Sequence, residues 1–192
     1  MEVRSLGEAD RVAATATLVT AFAADPVARW TLPDPATYLA MFPLGIAHMG
    51  GGALTAGGAF ASGDMRAVAL WLPPGTSPDM EGLGRAFAEA GVEGPEDAPA
   101  FFEEMGAAQP REPHWYLPFI GVDPAAQGRG LGSLLMKAAL AEVDAAGLPA
   151  YLESTNPRNV PLYERLGFRV VGEIQVGNSP VMHPMWRPAG HG

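Results

Sequence analysis

The stretch Val122-Asp123-Pro124-Ala125-Ala126-Gln127-Gly128-Arg129-Gly130-Leu131-Gly132-Ser133 constrains this chain more than any other part of it. Before it, Trp115 to Val122 is rich in aromatic and β-branched residues and short enough to be a buried strand. After it, Leu131, Leu134, Leu135, Ala138 and Ala141 recur at the three- and four-residue steps of one helical face. A strand, a glycine-rich turn and a helix start bring unpaired backbone N–H groups and the positive end of a helix dipole to one point, which favours an anion such as a phosphate. The spelling argues against two common phosphate loops. A P-loop ends in Gly-Lys-Ser/Thr, whereas this turn ends Gly130-Leu131-Gly132-Ser133, and a dinucleotide fingerprint needs a glycine where Ser133 stands.

A chain of 192 residues with 48% hydrophobic and 17% charged residues is the size of one domain, residues 1–192, with a core of its own. The absence of cysteine excludes disulfides, thiolate metal sites and a cysteine nucleophile, and points to a reducing, cytoplasmic setting. Met1-Glu2-Val3-Arg4-Ser5 has no basic-then-apolar pattern of a signal peptide. The apolar stretch Val12 to Ala24 is too short to cross a bilayer. A formal charge of −9 disfavours nucleic acid and anionic membranes as partners. It also means that a polyanionic cofactor would be held by backbone dipoles and a few cations such as Arg129. His48, His114, His183 and His191 have no ligand spacing, so no metal is expected.

In chain order, the patterns predict a strand over Val3–Leu6 and a helix over Glu8–Ala24 that Pro26 stops. A second helix runs over Ala36–Met49, with Pro43 as a fault inside it and Gly50-Gly51-Gly52 at its end. A hairpin spans residues 56–72 around Ser62-Gly63-Asp64. Two helices follow, Met80–Ala90 and Ala98–Ala108, which either face a substrate or form a solvated amphipathic pair. The strand ending at Val122, the helix Gly130–Ala146 and the strand Ala150–Ser154 make a right-handed βαβ unit. A last helix, Pro157–Leu166, carries Asn156 as its N-cap, and Phe168–Ile174 and Val181–Trp186 read as closing antiparallel strands. The fold class is α/β (α+β): a mixed, twisted, mostly antiparallel sheet flanked by helices.

The spelling Val-Asp-Pro-x-x-Gln-Gly-x-Gly-x-Gly resembles the coenzyme A pyrophosphate loop of the GNAT family of N-acetyltransferases. The run Glu153-Ser154-Thr155-Asn156-Pro157-Arg158-Asn159-Val160-Pro161-Leu162-Tyr163-Glu164-Arg165-Leu166-Gly167-Phe168 resembles that family's second landmark, in wording closest to its puromycin N-acetyltransferase branch. The resemblance covers residues 114–187. It implies acetyl-CoA as cosubstrate, its pyrophosphate on Gln127, Gly128, Arg129, Gly130, Leu131, Gly132 and Ser133. It also implies a splayed pair of central parallel strands, one with Ile120, Gly121 and Val122 and the other with Leu152 and Glu153, and a pantetheine arm between them. A backbone N–H near Ile120 would stabilise the reaction's oxyanion. Pro118, which cannot donate a ladder hydrogen bond, fits such a splay and equally a bulge or an edge.

On the last helix, Asn156, Asn159 and Tyr163 share one face by spacing, and Leu162 and Leu166 another. The resemblance makes Tyr163 the general acid, and its ordinary pKa near 10 suits giving a proton to a thiolate of comparable basicity. Without the resemblance, a helical tyrosine is as well explained by core packing. Glu153, at the end of its strand, is the first candidate for the general base, although it could instead cap the helix that follows. His114, Glu103 and Glu104 come next. The implied reaction is direct attack of a small-molecule primary amine on acetyl-CoA. Trp115, Tyr116 and Phe119 would form an apolar wall, with Glu103 and Glu104 attracting the cation. Protein N-terminal or lysine acetylation, or a non-catalytic acyl-CoA-binding domain, are the alternatives. Monomer and homodimer are both open.

Overall fold

The computed structural model describes residues 2–190; Met1 and His191, both part of the sequence reading, lie outside the described residues. Among the described residues seven strands form one sheet, β1 (Val3–Ser5), β2 (Ala59–Ser62), β3 (Ala67–Leu72), β4 (Trp115–Val122), β5 (Ala150–Ser154), β6 (Arg169–Val170) and β7 (His183–Arg187). Their spatial order is β1-β2-β3-β4-β5-β7-β6, and every pairing is antiparallel except β4 with β5. The helices are α1 (Arg11–Ala21), α2 (Pro26–Thr31), α3 (Pro35–Gly50), α4 (Ala53–Ala56), α5 (Met80–Glu89), α6 (Ala98–Ala108), α7 (Leu131–Ala145) and α8 (Val160–Glu164). Two cores cover the two faces of the sheet. On one, α1 and α3 bring Leu18, Phe42 and Ile46 against Leu70 and Phe119, and on the other α7 brings Leu135, Met136 and Val143 against Trp71, Leu117 and Leu152.

The mixed, mostly antiparallel sheet flanked by helices agrees with the expected fold class, and so do the hairpin and the helices α5, α6 and α7. Three local expectations give way. Pro26 does not merely stop a helix; it is the first residue of α2, with Asp25 as N-cap accepting from the Val27 and Ala28 amides at 3.0 Å each. Helix α3 passes through Pro43. The hydrogen bond lost there belongs to the Leu39 carbonyl, on an outer face where Leu39 is 63% exposed and water can replace the missing donor. Gly50-Gly51-Gly52 ends α3 as expected, with Gly51 as C-cap, but the short α4 follows almost at once and stops at the left-handed Gly57. By length and composition Pro35–Ala56 is apolar enough to cross a membrane, a stretch longer than Val12–Ala24, but here Tyr38, Met41, Phe42 and Ile46 are packed in the core. Finally, the buried face of α7 is Leu131, Leu135, Met136, Ala139, Leu140 and Val143; Ala141 is exposed, so the face is turned from the one read by spacing.

The closing strands are shorter than expected. Only Arg169–Val170 and His183–Arg187 are regular, with a lone bridge between Ile174 and Met182, and β7 inserts between β5 and β6. Arg187 in β7 is buried and ion-paired with Asp144 of α7 at 2.6 Å, which fastens this end of the sheet to the helix.

Candidate active site

The site begins where β4 and β5 part. They pair in parallel only from Trp115 with Ala150 to Leu117 with Leu152. The next residue is Pro118, which has no N–H to give, and at the same point the register of β4 against β3 shifts between Leu70 and Leu72. Pro118 therefore marks both a splay from one neighbour and a bulge against the other, in a strand central to the sheet. Beyond it the β5-facing edge of β4 is unpaired. The Asp123 amide donates to the Arg66 carbonyl on the β3 side at 2.8 Å, so alternation turns the Ile120 and Val122 amides toward the open edge.

A cleft of about 580 Å³ opens from this splay. Ile120, Gly121 and Val122 line it, as do Gln127, Gly128, Gly130, Leu131, Gly132, Ser133, Asn156, Asn159, Glu153 and Tyr163. The glycine-rich turn is built as an anion cradle. Gly128 and Gly130 adopt φ of +75° and +79°, which the turn requires, and Gly130 leaves α7 without a side-chain cap. Within the helix the first claimed amide is that of Leu134, bonded to the Gly130 carbonyl at 3.0 Å, so the amides of Leu131, Gly132 and Ser133 remain for a ligand. Gly132 is different. Its φ is not left-handed and a Cβ there would meet only Leu162 and Val122, each at 3.8 Å, so neither backbone nor protein neighbours demand a glycine. The space it leaves open belongs to the cleft. These features fit a pyrophosphate.

Arg129 is the expected site residue that does not reach the cleft wall. It is exposed and its guanidinium bonds the Ala125 carbonyl at 3.3 Å, whereas Arg158, which the sequence reading did not single out, lines the cleft. Leu162 also lines the cleft, beside Asn159 and Tyr163 and not on a separate apolar face. The cause is a 3₁₀ turn at Pro157–Asn159 before α8, which breaks the 3.6-residue spacing assumed from sequence. Asn156 caps this turn with its own side chain, accepting from the Arg158 amide at 3.0 Å.

That cap removes the alternative role for Glu153. Its Oε1 is buried without a hydrogen-bond partner. Burial raises its pKa from 4.5 to about 7; the Tyr116 and Tyr151 phenols beside it hold back part of the rise, although the Tyr151 hydroxyl itself also lacks a well-formed hydrogen bond. Tyr163 is buried against Phe168, and burial, with Asp25 nearby, pushes its hydroxyl well above 10. The phenol therefore stays protonated at neutral pH.

A second cavity, of about 110 Å³, lies on the other side of Glu153. Phe22, Asp25, Pro118, Glu153 and Thr155 line both spaces, so the two meet there. Phe22, Phe42 and Phe119 form an aromatic cluster on its wall, with centroids 5.6 to 6.1 Å apart. Leu83 and Phe87 from α5 and Phe102 and Met105 from α6 complete it, so the two-helix insertion faces a cavity and is not merely a solvated pair. Of the expected apolar wall, Tyr116 and Phe119 are present, but Trp115 packs on the opposite face of the sheet. Glu103 and Glu104 are exposed, and neither they nor His114, bonded to the Glu112 carbonyl at 2.7 Å, line either cavity. Asp25, like Arg158, is a residue that sequence reading missed. It ties the start of α2 to the end of β5, with Thr155 donating to its Oδ2 at 2.5 Å. The signal was present, since Asp-Pro is an N-cap followed by a first-turn proline.

Residues 86–168 match the model of the acetyltransferase (GNAT) family. A crystal structure from Corynebacterium glutamicum, described as histone acetyltransferase HPA2 and related acetyltransferase, superimposes with a TM-score of 0.69 at 27% identity, over 99% of this chain and 97% of that one. Residues 86–168 thus carry the pattern of the GNAT acetyltransferases. An uncharacterised N-acetyltransferase of Schizosaccharomyces pombe is 33% identical over 122 residues, 55% of this chain, and the chain spans 48% of that protein's length. The fold is shared more widely: arylalkylamine N-acetyltransferase 2 of Aedes aegypti matches with a TM-score of 0.68 at 14% identity, over 97% of this chain and 98% of its own.

Proposed function

We propose that this chain is an acetyl-CoA-dependent N-acetyltransferase that transfers an acetyl group to the primary amine of a small molecule by direct attack. The observation that carries the reading is Glu153, a buried carboxyl with an unpartnered oxygen at the junction of a cofactor-sized cleft and a second, apolar cavity. When bound, acetyl-CoA supplies the acetyl group as a thioester. The amides of Leu131, Gly132 and Ser133, with Arg158, hold its phosphates. The Ile120 amide, free on the splayed edge of β4, donates to the carbonyl oxygen as charge develops there.

An amine must lose a proton before it can attack, and Glu153, titrating near 7, is suited to take it at neutral pH. Tyr163 keeps its proton and donates a hydrogen bond toward the departing sulfur. As the C–S bond breaks, the second proton of the attacking nitrogen passes to that sulfur, so the products are the N-acetylated amine and the free thiol of CoA. Incubation with acetyl-CoA and a panel of primary amines, following free thiol and the mass of the product, tests the reading. Tight CoA binding without amine-dependent thiol release would favour the acyl-CoA-binding alternative, and release that requires a peptide N-terminus or lysine would favour protein acetylation.

A further inference from the structure

The cavity beyond Glu153 has few polar groups: Thr31, Tyr116 and, where it meets the first cleft, Asp25, Glu153 and Thr155. Asp25 stands there, but its oxygens are taken: Oδ1 by the Val27 and Ala28 amides and Oδ2 by the Thr155 hydroxyl. The Thr31 hydroxyl is likewise given to the Val27 carbonyl at 2.9 Å. Glu153 brings to the lining a buried carboxylate oxygen, Oε1, without a partner. Away from that junction the wall is Leu32, Met41, Leu83, Phe87, Phe102 and Met105, with no charged side chain among them.

We infer that the acceptor is an amine with a single ammonium on an uncharged, apolar body no larger than one aromatic ring or a short alkyl chain; this rests on the acetyl-transfer reading above. The ammonium is best placed at Glu153, whose buried Oε1 has no partner, whereas the Asp25 oxygens already accept from Val27, Ala28 and Thr155. A second ammonium on the same molecule would be carried into the apolar end and buried without a counter-charge, which is strongly unfavourable. Size follows from the cavity's roughly 110 Å³, the scale of apolar cavities that hold a benzene-sized molecule. Met41, Met49, Met105 and Met182 on its wall let it adapt to either a ring or a chain. Diamines, zwitterionic amino acids and two-ring amines all fail one of these conditions.

The decisive comparison is pentylamine against 1,5-diaminopentane, which share a skeleton and differ by the far ammonium, with 2-phenylethylamine as the ring probe. Acetylation rates are measured with the intact protein and acetyl-CoA, and binding is measured by calorimetry with CoA present, which needs no turnover. Pentylamine and 2-phenylethylamine are expected to exceed the diamine in kcat/KM by on the order of a hundredfold. Phe102→Asp, which places a carboxylate on the apolar wall, is expected to shrink that ratio at least tenfold. If the diamine is acetylated as well as pentylamine, the inference falls and the acetyl-transfer reading stands. If the apolar monoamines bind selectively but are not acetylated, the inference stands and the reaction reading falls. If none of the three binds or reacts, both fall. The comparison on the unaltered protein decides these outcomes even if Phe102→Asp does not fold.

Discussion

Glu153→Gln separates chemistry from stability in one substitution. The carboxyl titrates near 7 in the folded chain and near 4.5 when free, so it holds its proton more tightly folded than unfolded. Its ionisation therefore opposes folding. The stability penalty is absent below about 4.5, grows as pH rises toward 7 and is complete above it. At about 1.4 kcal/mol per pH unit it reaches about 3 kcal/mol. Glutamine keeps the shape and removes the charge. At pH 8 the variant should be more stable by up to about 3 kcal/mol, with Tm higher by several degrees at roughly 2–4 °C per kcal/mol for a chain of this size. Activity should move the opposite way. The unaltered enzyme's kcat/KM should rise about tenfold per pH unit up to near 7 and then level off, while Glu153→Gln should lose roughly 10²–10⁴-fold and that pH dependence. Thermal melts at pH 5 and pH 8 and a pH profile of kcat/KM make the assay. A variant that keeps turnover within a few fold, or whose gain in stability over the unaltered chain is no larger at pH 8 than at pH 5, would refute the assignment of Glu153 as a buried base.

Gly132→Val should weaken CoA binding at least tenfold with little change in the melt, because Gly132 is neither left-handed nor crowded by protein; Gly130→Val is the poorer test, since φ of +79° strains any branched residue there. Calorimetric titration with CoA reads both. Arg158→Gln should weaken CoA binding several-fold, in a salt-dependent manner, whereas Arg129→Gln should leave it nearly unchanged; equal effects would return the cation's role to the loop. Tyr163→Phe should lower kcat with the KM for acetyl-CoA little altered, and the loss should not depend on pH between 6 and 9, because the raised pKa keeps the phenol protonated there. A pH-dependent loss in that range would mean that the hydroxyl ionises during turnover.

Much of this protein was determined within short windows of its sequence. The strand Trp115–Val122, the turn with Gly128 and Gly130, the N-cap Asn156 and the hairpin at Ser62-Gly63-Asp64 are specified by residues within a few positions of each other, so backbone geometry and turn chemistry were enough to find them. Pro118 announced an interruption of its strand for the same local reason. The opposed cavities were not legible, because they are assembled from Asp25, Tyr116, Phe119, Glu153 and the helices over 80–108, which only the sheet order and helix packing bring together. Whether Arg129 or Arg158 meets an anion depends on how two loops turn, and whether Glu103 and Glu104 face a substrate depends on which side of α6 docks. Pro43 was tolerated because the tertiary fold put Leu39 against water. Local conformational preferences wrote the elements, whereas burial, which is a property of the packed whole, decided the pKa of Glu153, the weakness of Tyr163 as an acid and the chemistry the cavity will admit.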